Sequence, residues 1–272
     1  MKKLLLLSFF ALTTIQSLAQ VTTTVNPTIA QLQQKLGGNG ITITGLTLTC
    51  PTDAYALYSG GTGDLATLPS GILLTTGTAT NVAGPNTNDL DQDNGASGSA
   101  LGDNLASSLF GTFDACYLKF ILTPSCNTLS INYVFASEEY PEYSVGGIND
   151  VFGFVIDGPN PSGGNYTQKN IATLPGTTTA VSIQNVNNGT MNTGPCVNCA
   201  YYNGNPTGMA YDGCTTVLTA STAVTPCSQY TMTIGVWDDS DGIIDSGVFL
   251  DVNGLSCIGS PTLSAQVTPS VI

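Results

Sequence analysis

The chain has 272 residues, with 18 acidic side chains set against five lysines and with neither arginine nor histidine. A formal net charge of −13 excludes nucleic acid and anionic membrane surfaces as partners, because almost nothing is present to neutralise phosphates. Without an imidazole there is no Ser-His-Asp or Cys-His nucleophile system, and no His-ligated zinc hydrolase site.

Lys2 and Lys3 precede an apolar run over 4–12, and Ser17 and Ala19 supply small residues at −3 and −1. Residues 1–19 therefore read as a secretory signal peptide cleaved before Gln20. No later stretch approaches ~18 consecutive apolar residues, so no membrane span is expected in the mature chain. Asn26 as cap, Pro27 in the first turn and Ile29, Leu32 and Leu36 on one face predict a short helix over 27–36. Residues 41–44 and 46–49 alternate as a strand, with a bulge at Gly45. Residues 53–69 read as a loop, and 71–77 as a buried strand. Asp89, Asp91 and Asp93 resemble half a calcium loop, but Gly95 stands one place late and no glutamate closes it, so a solvated turn-rich insertion is the other reading. A short helix is expected within 101–110.

Strands then follow at 116–122, 129–136, 151–156, 170–174, 181–186, 214–220, 230–237 and 248–252, with a turn at 157–159 and a long loop over 191–212. The fold this predicts is all-β: a two-sheet, jelly-roll-like β-sandwich with one short N-terminal helix and long loops, over residues 20–258. Residues 259–272 read as a linker or as the first strand of a further β module, the chain then being a fragment. Eight cysteines suit disulfides in an oxidising compartment. Ten extended residues span about 30 Å, so Cys116 and Cys126 should not bond to each other. Cys196 and Cys199 form a CxxC without a helix start, which favours structural bridges. Zinc held by Cys196, Cys199, Cys214 and Cys227 is the alternative.

The chemistry concentrates in two acidic bends. All three glutamates, Glu138, Glu139 and Glu142, follow the strand ending near Ala136, and Asn149 and Asp150 precede the next. Asp238, Asp239, Asp241 and Asp245 follow the strand ending at Trp237. The stretches 123–140 and 225–242 echo each other, each with Pro, Cys, a strand and then acids. If the two strands run the same way, both acid clusters meet at one end. Each like-charge pair at ~4 Å costs up to ~4 kcal/mol at an effective dielectric of ~20, and no arginine offsets it. Calcium takes six to eight hard oxygen ligands from flexible loops. Glu138, Glu139, Asn149, Asp150, Asp238, Asp239, Asp241 and Asp245 are accordingly the candidate calcium ligands. The plainer reading is that these side chains cap turns.

Acid pairs also cleave glycosides. Glu138 or Glu139 with Asp241, and Tyr140, Tyr143 and Trp237 as sugar-stacking rings, would make a carbohydrate-active hydrolase. That is the alternative to a non-catalytic adhesion or ligand-binding module; a structural spacer is the third reading.

The string YVFASEEYPEY followed by NDVFGF resembles the choice-of-anchor L domain of secreted bacterial proteins. The likeness continues through LPSGILLTTG, NIATLPGT, VSIQNVN, YDGCTTVL and DDSDGIIDSGVFL. It implies an extracellular, surface-associated domain; an extracellular glycan or protein ligand as partner is the expectation of the adhesion reading, not of the resemblance. It carries over matching positions at Glu138, Glu139, Asn149, Asp150, Asp212, Asp238, Asp241 and Asp245, and it assigns them no role.

Overall fold

A computed structural model describes residues 20–84 and 93–259. The expected signal peptide, Asp89 and Asp91 of the acidic insertion, and the tail from 260 lie outside the described residues. Asp93 is described, and is exposed, with its carboxylate accepting from the Gly95 amide at 2.7 Å.

The elements in chain order are β1 (Thr22–Val25), α1 (Ile29–Leu36), β2 (Ile41–Thr49), β3 (Tyr55–Ser59), β4 (Ser70–Thr75), α2 (Ala100–Ala106), β5 (Thr112–Pro124) and β6 (Thr128–Ser137). They continue with β7 (Val151–Pro159), β8 (Asn165–Asn170), β9 (Tyr202–Asn203), β10 (Gly213–Thr215), β11 (Leu218–Ala223), β12 (Tyr230–Asp239), β13 (Ser246–Asp251) and β14 (Ser256–Ile258). The described residues form two antiparallel sheets stacked as a sandwich. One has nine strands in the path β1-β3-β4-β13-β6-β10-β9, with β11 and β14 also on β6; the other has five, in the order β2-β5-β12-β7-β8.

Side-chain alternation puts Leu118, Phe120 and Leu122 of β5, Phe152, Phe154 and Ile156 of β7, and Met232, Ile234 and Val236 of β12 on the inner face of the small sheet. They meet Ile72 and Leu74, Ile131, Tyr133 and Phe135, and Val248 and Leu250 of the large sheet. The large sheet is covered on its other face too, where Tyr58, Leu73, Val134, Phe249 and Tyr211 form a second buried cluster. Burial on both faces explains why β4 and β13 carry consecutive apolar residues, Ile72 to Leu74 and Val248 to Leu250.

Several expectations are corrected. The helix is capped by Thr28, not Asn26: Thr28 Oγ1 accepts from the Gln31 amide at 3.3 Å, and Gln31 Oε1 accepts from the Thr28 amide at 2.8 Å. Asn26 instead takes a left-handed conformation (φ 55°) and accepts from the Asp53 amide at 3.0 Å. Ile29 is exposed, while Leu32 and Leu36 are buried. Residues 53–69 contain β3, and a second helix, α2, begins at Ala100 and covers the first part of the helix expected over 101–110, beyond the one-helix fold. The expected strands at 170–174 and 181–186 are, beyond Asn170, largely buried yet not strands: they make isolated bridges, Thr173 with Ala180 and Val151 with Ser182. The expected turn at 157–159 lies inside β7, and the expected strand over 214–220 is split between β10 and β11. The bulge at Gly45 is present, as the β2–β5 register shifts between Thr44 and Thr47.

Cys50 bonds Cys116, Cys126 bonds Cys257 and Cys196 bonds Cys199. Cys116 and Cys126 are unlinked, as reach requires. The zinc alternative is overturned, since Cys196 and Cys199 are consumed by their own bond; Cys214 is a buried thiol and Cys227 an exposed one.

Candidate metal centre

β6 and β12 belong to different sheets but run the same way, so their C-terminal acids arrive at one end of the sandwich. The joins are short. The Glu138 amide donates to Asp245 O at 3.0 Å. The Asp239 amide donates to Asp150 Oδ1 at 2.9 Å, and Ser246 Oγ donates to Asp150 Oδ2 at 2.7 Å. Asp150 thus ties the start of β7 to the end of β12 and to β13 across the sandwich. β4 ends at the same place, where the Ser246 amide donates to Thr76 Oγ1 at 2.9 Å. A Cβ on Gly77 would lie 1.8 Å from Asp245 Oδ2, so the Asp245 carboxylate rests directly on the Gly77 backbone.

Glu138, Glu139, Asp150, Asp238, Asp239 and Asp245 are all buried, between 1% and 5% exposed. This is far from the usual solvated carboxylate. Asp238 is the most isolated chemically. Thr76 and Asp150 lie beside it, but neither of its oxygens has a hydrogen-bond partner of good geometry. Glu139 Oε2 and Asp239 Oδ1 are likewise buried without a partner. Glu138 Oε2 accepts from the Asp212 amide at 3.0 Å. The remaining two candidates are peripheral. Asp241 is half-buried and accepts from the Ile243 amide at 3.2 Å, a turn-capping contact. Asn149 donates to Ala106 O and accepts from the Gln184 amide, both at 3.3 Å, so its amide braces loops.

Among the described residues no lysine enters this end: Lys35 is in α1, Lys119 in the middle of β5 and Lys169 in β8. Burial and mutual repulsion therefore act with no cationic side chain to offset them, and only hydrogen bonds oppose them. Burial, then the charges of Asp150 and Asp241, push the Glu139 carboxyl up to about 9. Burial raises Asp150 to about 7 against the hydrogen bonds from the Asp239 amide and Ser246. Burial, then Asp150, raises Asp238 well above the carboxylate range. The sign follows directly. A carboxyl raised in the fold binds its proton in the native state over a pH range where the unfolded chain has lost it, so stability falls as pH rises. In a calcium chelator the melting temperature is expected to fall steadily between about pH 5 and pH 9, the window between the unfolded values and that of Glu139. A flat profile over that range would show the acids to be solvated.

Sequence reasoning did not find Thr76, Gly77, Asp114 or Ser246. Asp114 is fully buried, accepts from the Asn94 and Ala96 amides at 3.0 and 2.6 Å, and lies against Gly242. It is a lone acid at the start of a strand, and nothing in its neighbours marks it. Trp237 and Tyr140 are fully buried, with the indole N–H on Ser99 Oγ at 2.9 Å and the phenol on Val186 O at 2.7 Å. The sugar-stacking role expected of them in the hydrolase alternative is ruled out, and only Tyr143 is exposed.

Among the described residues, no three Asp, Glu, Cys or His side chains form a ready-made metal-ligand group. The carboxylates share one end of the sandwich without yet converging on a point. A cation with six to eight flexible oxygen ligands could draw them together with backbone carbonyls and water; one demanding rigid octahedral geometry is a poorer fit.

The family model of the choice-of-anchor L domain matches residues 20–256. No curated protein and no solved structure matches the chain.

Proposed function

Since this chain belongs to the choice-of-anchor L domain family of secreted and cell-surface proteins, we propose that it is a non-catalytic adhesion or ligand-binding module whose acidic end is fastened by calcium. The observation that carries the calcium reading is the set of buried carboxylate oxygens on Asp238, Asp239 and Glu139 that have no hydrogen-bond partner of good geometry. An uncompensated buried charge costs several kcal/mol, and a divalent cation is a compensation that oxygen-rich bends can accept. Asp150, Asp245 and Glu138 complete the acidic shell, Asp241 stands at its rim, and Asn149 braces the bend from outside. Binding there would lock the bends 138–150 and 238–245 to each other and stiffen the loops offered to an extracellular glycan or protein.

The test is thermal unfolding of chelated protein titrated with calcium. A ligand at a hundredfold excess over its Kd stabilises by about 2.7 kcal/mol, which for a domain of this size is a rise of roughly 5–10 °C. Magnesium should give a smaller rise. No shift up to millimolar calcium ends the metal reading.

A further inference from the structure

Away from the acidic end, the outer face of the five-stranded sheet holds a cavity of about 290 Å³. Its shape follows from the cross-strand register. One row across β5, β12 and β7 is Tyr117, Gly235, Gly153; the next is Lys119, Thr233, Val155; Asp157 stands one row further, opposite Thr231. The space over the glycine pair is taken by the Trp237 ring and by Leu105 of α2, and the cavity opens beside them, over Tyr117, Lys119, Thr233 and Val155. A Cβ on Gly235 would lie 2.3 Å from Tyr117 Cβ and 2.9 Å from the Trp237 ring, so glycine is what lets those rings settle there. The Tyr117 ring lies nearly parallel to Trp237, with centroids 5.9 Å apart and planes at 21°. Trp237 is fully buried in a cluster with Leu101 and Leu105 of α2. Tyr117 is only half-buried and lines the cavity, so it forms a shelf held from beneath.

Around that shelf stand Lys119, Asp157, Gln168 and Thr233, with the first turn of α2 as a wall. Asp157 Oδ1 accepts from the Gln168 amide at 2.7 Å, which fixes the far rim. The lining thus offers an ammonium that only donates, a carboxylate that accepts, and an amide and a hydroxyl that do both. The two formal charges cancel. An apolar ligand would leave Lys119 and Asp157 unanswered, and a polyanion would meet a chain carrying 18 acids against five cations. A neutral sugar fits both constraints: its C–H face lies on an aromatic ring and its hydroxyls donate and accept. We propose that this cavity seats a neutral sugar unit of an extracellular glycan. The site is separate from the acidic end and needs no calcium.

Trp237 is the only tryptophan, so its emission reports on this site. The experiment is affinity electrophoresis and fluorescence titration of the mature chain with a β-glucan, a xylan and a mannan, with polygalacturonate as an acidic control, each in calcium and in chelator. The expected result is that at least one neutral probe retards the protein and shifts the emission in both conditions. Tyr117→Ala should weaken that binding by about tenfold, and Tyr117→Phe should largely retain it. Gln168→Ala, on an exposed side chain whose loss leaves the sheet folded, should weaken it by about threefold or more. The proposal is overturned if no neutral probe binds, if only polygalacturonate binds, or if a bound probe is held equally by wild type, Tyr117→Ala and Gln168→Ala. Loss of binding in chelator alone would also overturn it, by placing the site at the acidic end.

Discussion

Asp238→Asn is expected to raise the stability of the chelated protein and to abolish the stabilisation by calcium. Asp238 is 2% exposed, neither of its oxygens has a good hydrogen-bond partner, and Asp150 and Asp245 repel its charge. Without a cation the wild type must either hold this group ionised in a dry site or keep it protonated at neutral pH, and both cost free energy. Asparagine keeps the shape and removes the charge, a gain of about 1–3 kcal/mol in chelator. The same change takes away a central anionic ligand, so the calcium increment of about 3 kcal/mol should disappear. The measurement is a pair of melting curves, in chelator and in millimolar calcium, for each protein. A variant destabilised equally in both would show that Asp238 is a structural acid with no cation to serve. Gly77→Ala is the companion: its methyl would push the Asp245 carboxylate aside without altering any charge, and the calcium increment should shrink while the chelated protein gains nothing.

Much of this end of the molecule could be read before folding. β5, β6, β7 and β12 show themselves by period-two alternation, and the equal spacing from Cys126 to Glu138 and from Cys227 to Asp239 pointed to two strands delivering acids alike. That spacing holds because β6 and β12 run the same way in facing sheets. It did not extend to the cysteines themselves: Cys126 bonds Cys257 and Cys227 is free. Residues 171–186 misled because burial under a loop gives the same apolar spacing as burial in a sheet; Ile171, Leu174, Val181, Ile183 and Val186 are core without pairing into a strand. β3 was hidden for the opposite reason. It is five residues between turns, and its stability comes from β1 and β4 on either side. At the helix start, Asn26-Pro27 drew attention from the Thr28–Gln31 box two residues on, which satisfies more of the free amides. Asn149 shows the limit of assigning ligands by composition, because an amide beside an acid can serve a loop.

Removing the Cys126–Cys257 bond by a double Cys→Ser change should be the costliest covalent alteration this domain can suffer. The bond joins residues 131 apart in sequence. In the chain-entropy account a loop of that size restrains the unfolded state by roughly 5 kcal/mol, against about 2 kcal/mol for the four-residue loop closed by Cys196 and Cys199. There is a local loss as well. β14 is three residues long and pairs with the start of β6, so without the bond this strand is left with that short pairing, the Cys257 amide's bond to Asn39 O and the buried Leu255 before it. Denaturant unfolding of the two double variants should separate them by several kcal/mol; equal, small losses would mean the unfolded chain is already compact around these cysteines. The calcium increment should survive in both. Cys126 lies before the N-terminal end of β6, and ten residues of strand place it about 33 Å from the acids that follow Ser137. Stability and calcium response are therefore expected to come apart: the bond secures one end of the sandwich and the cation the other.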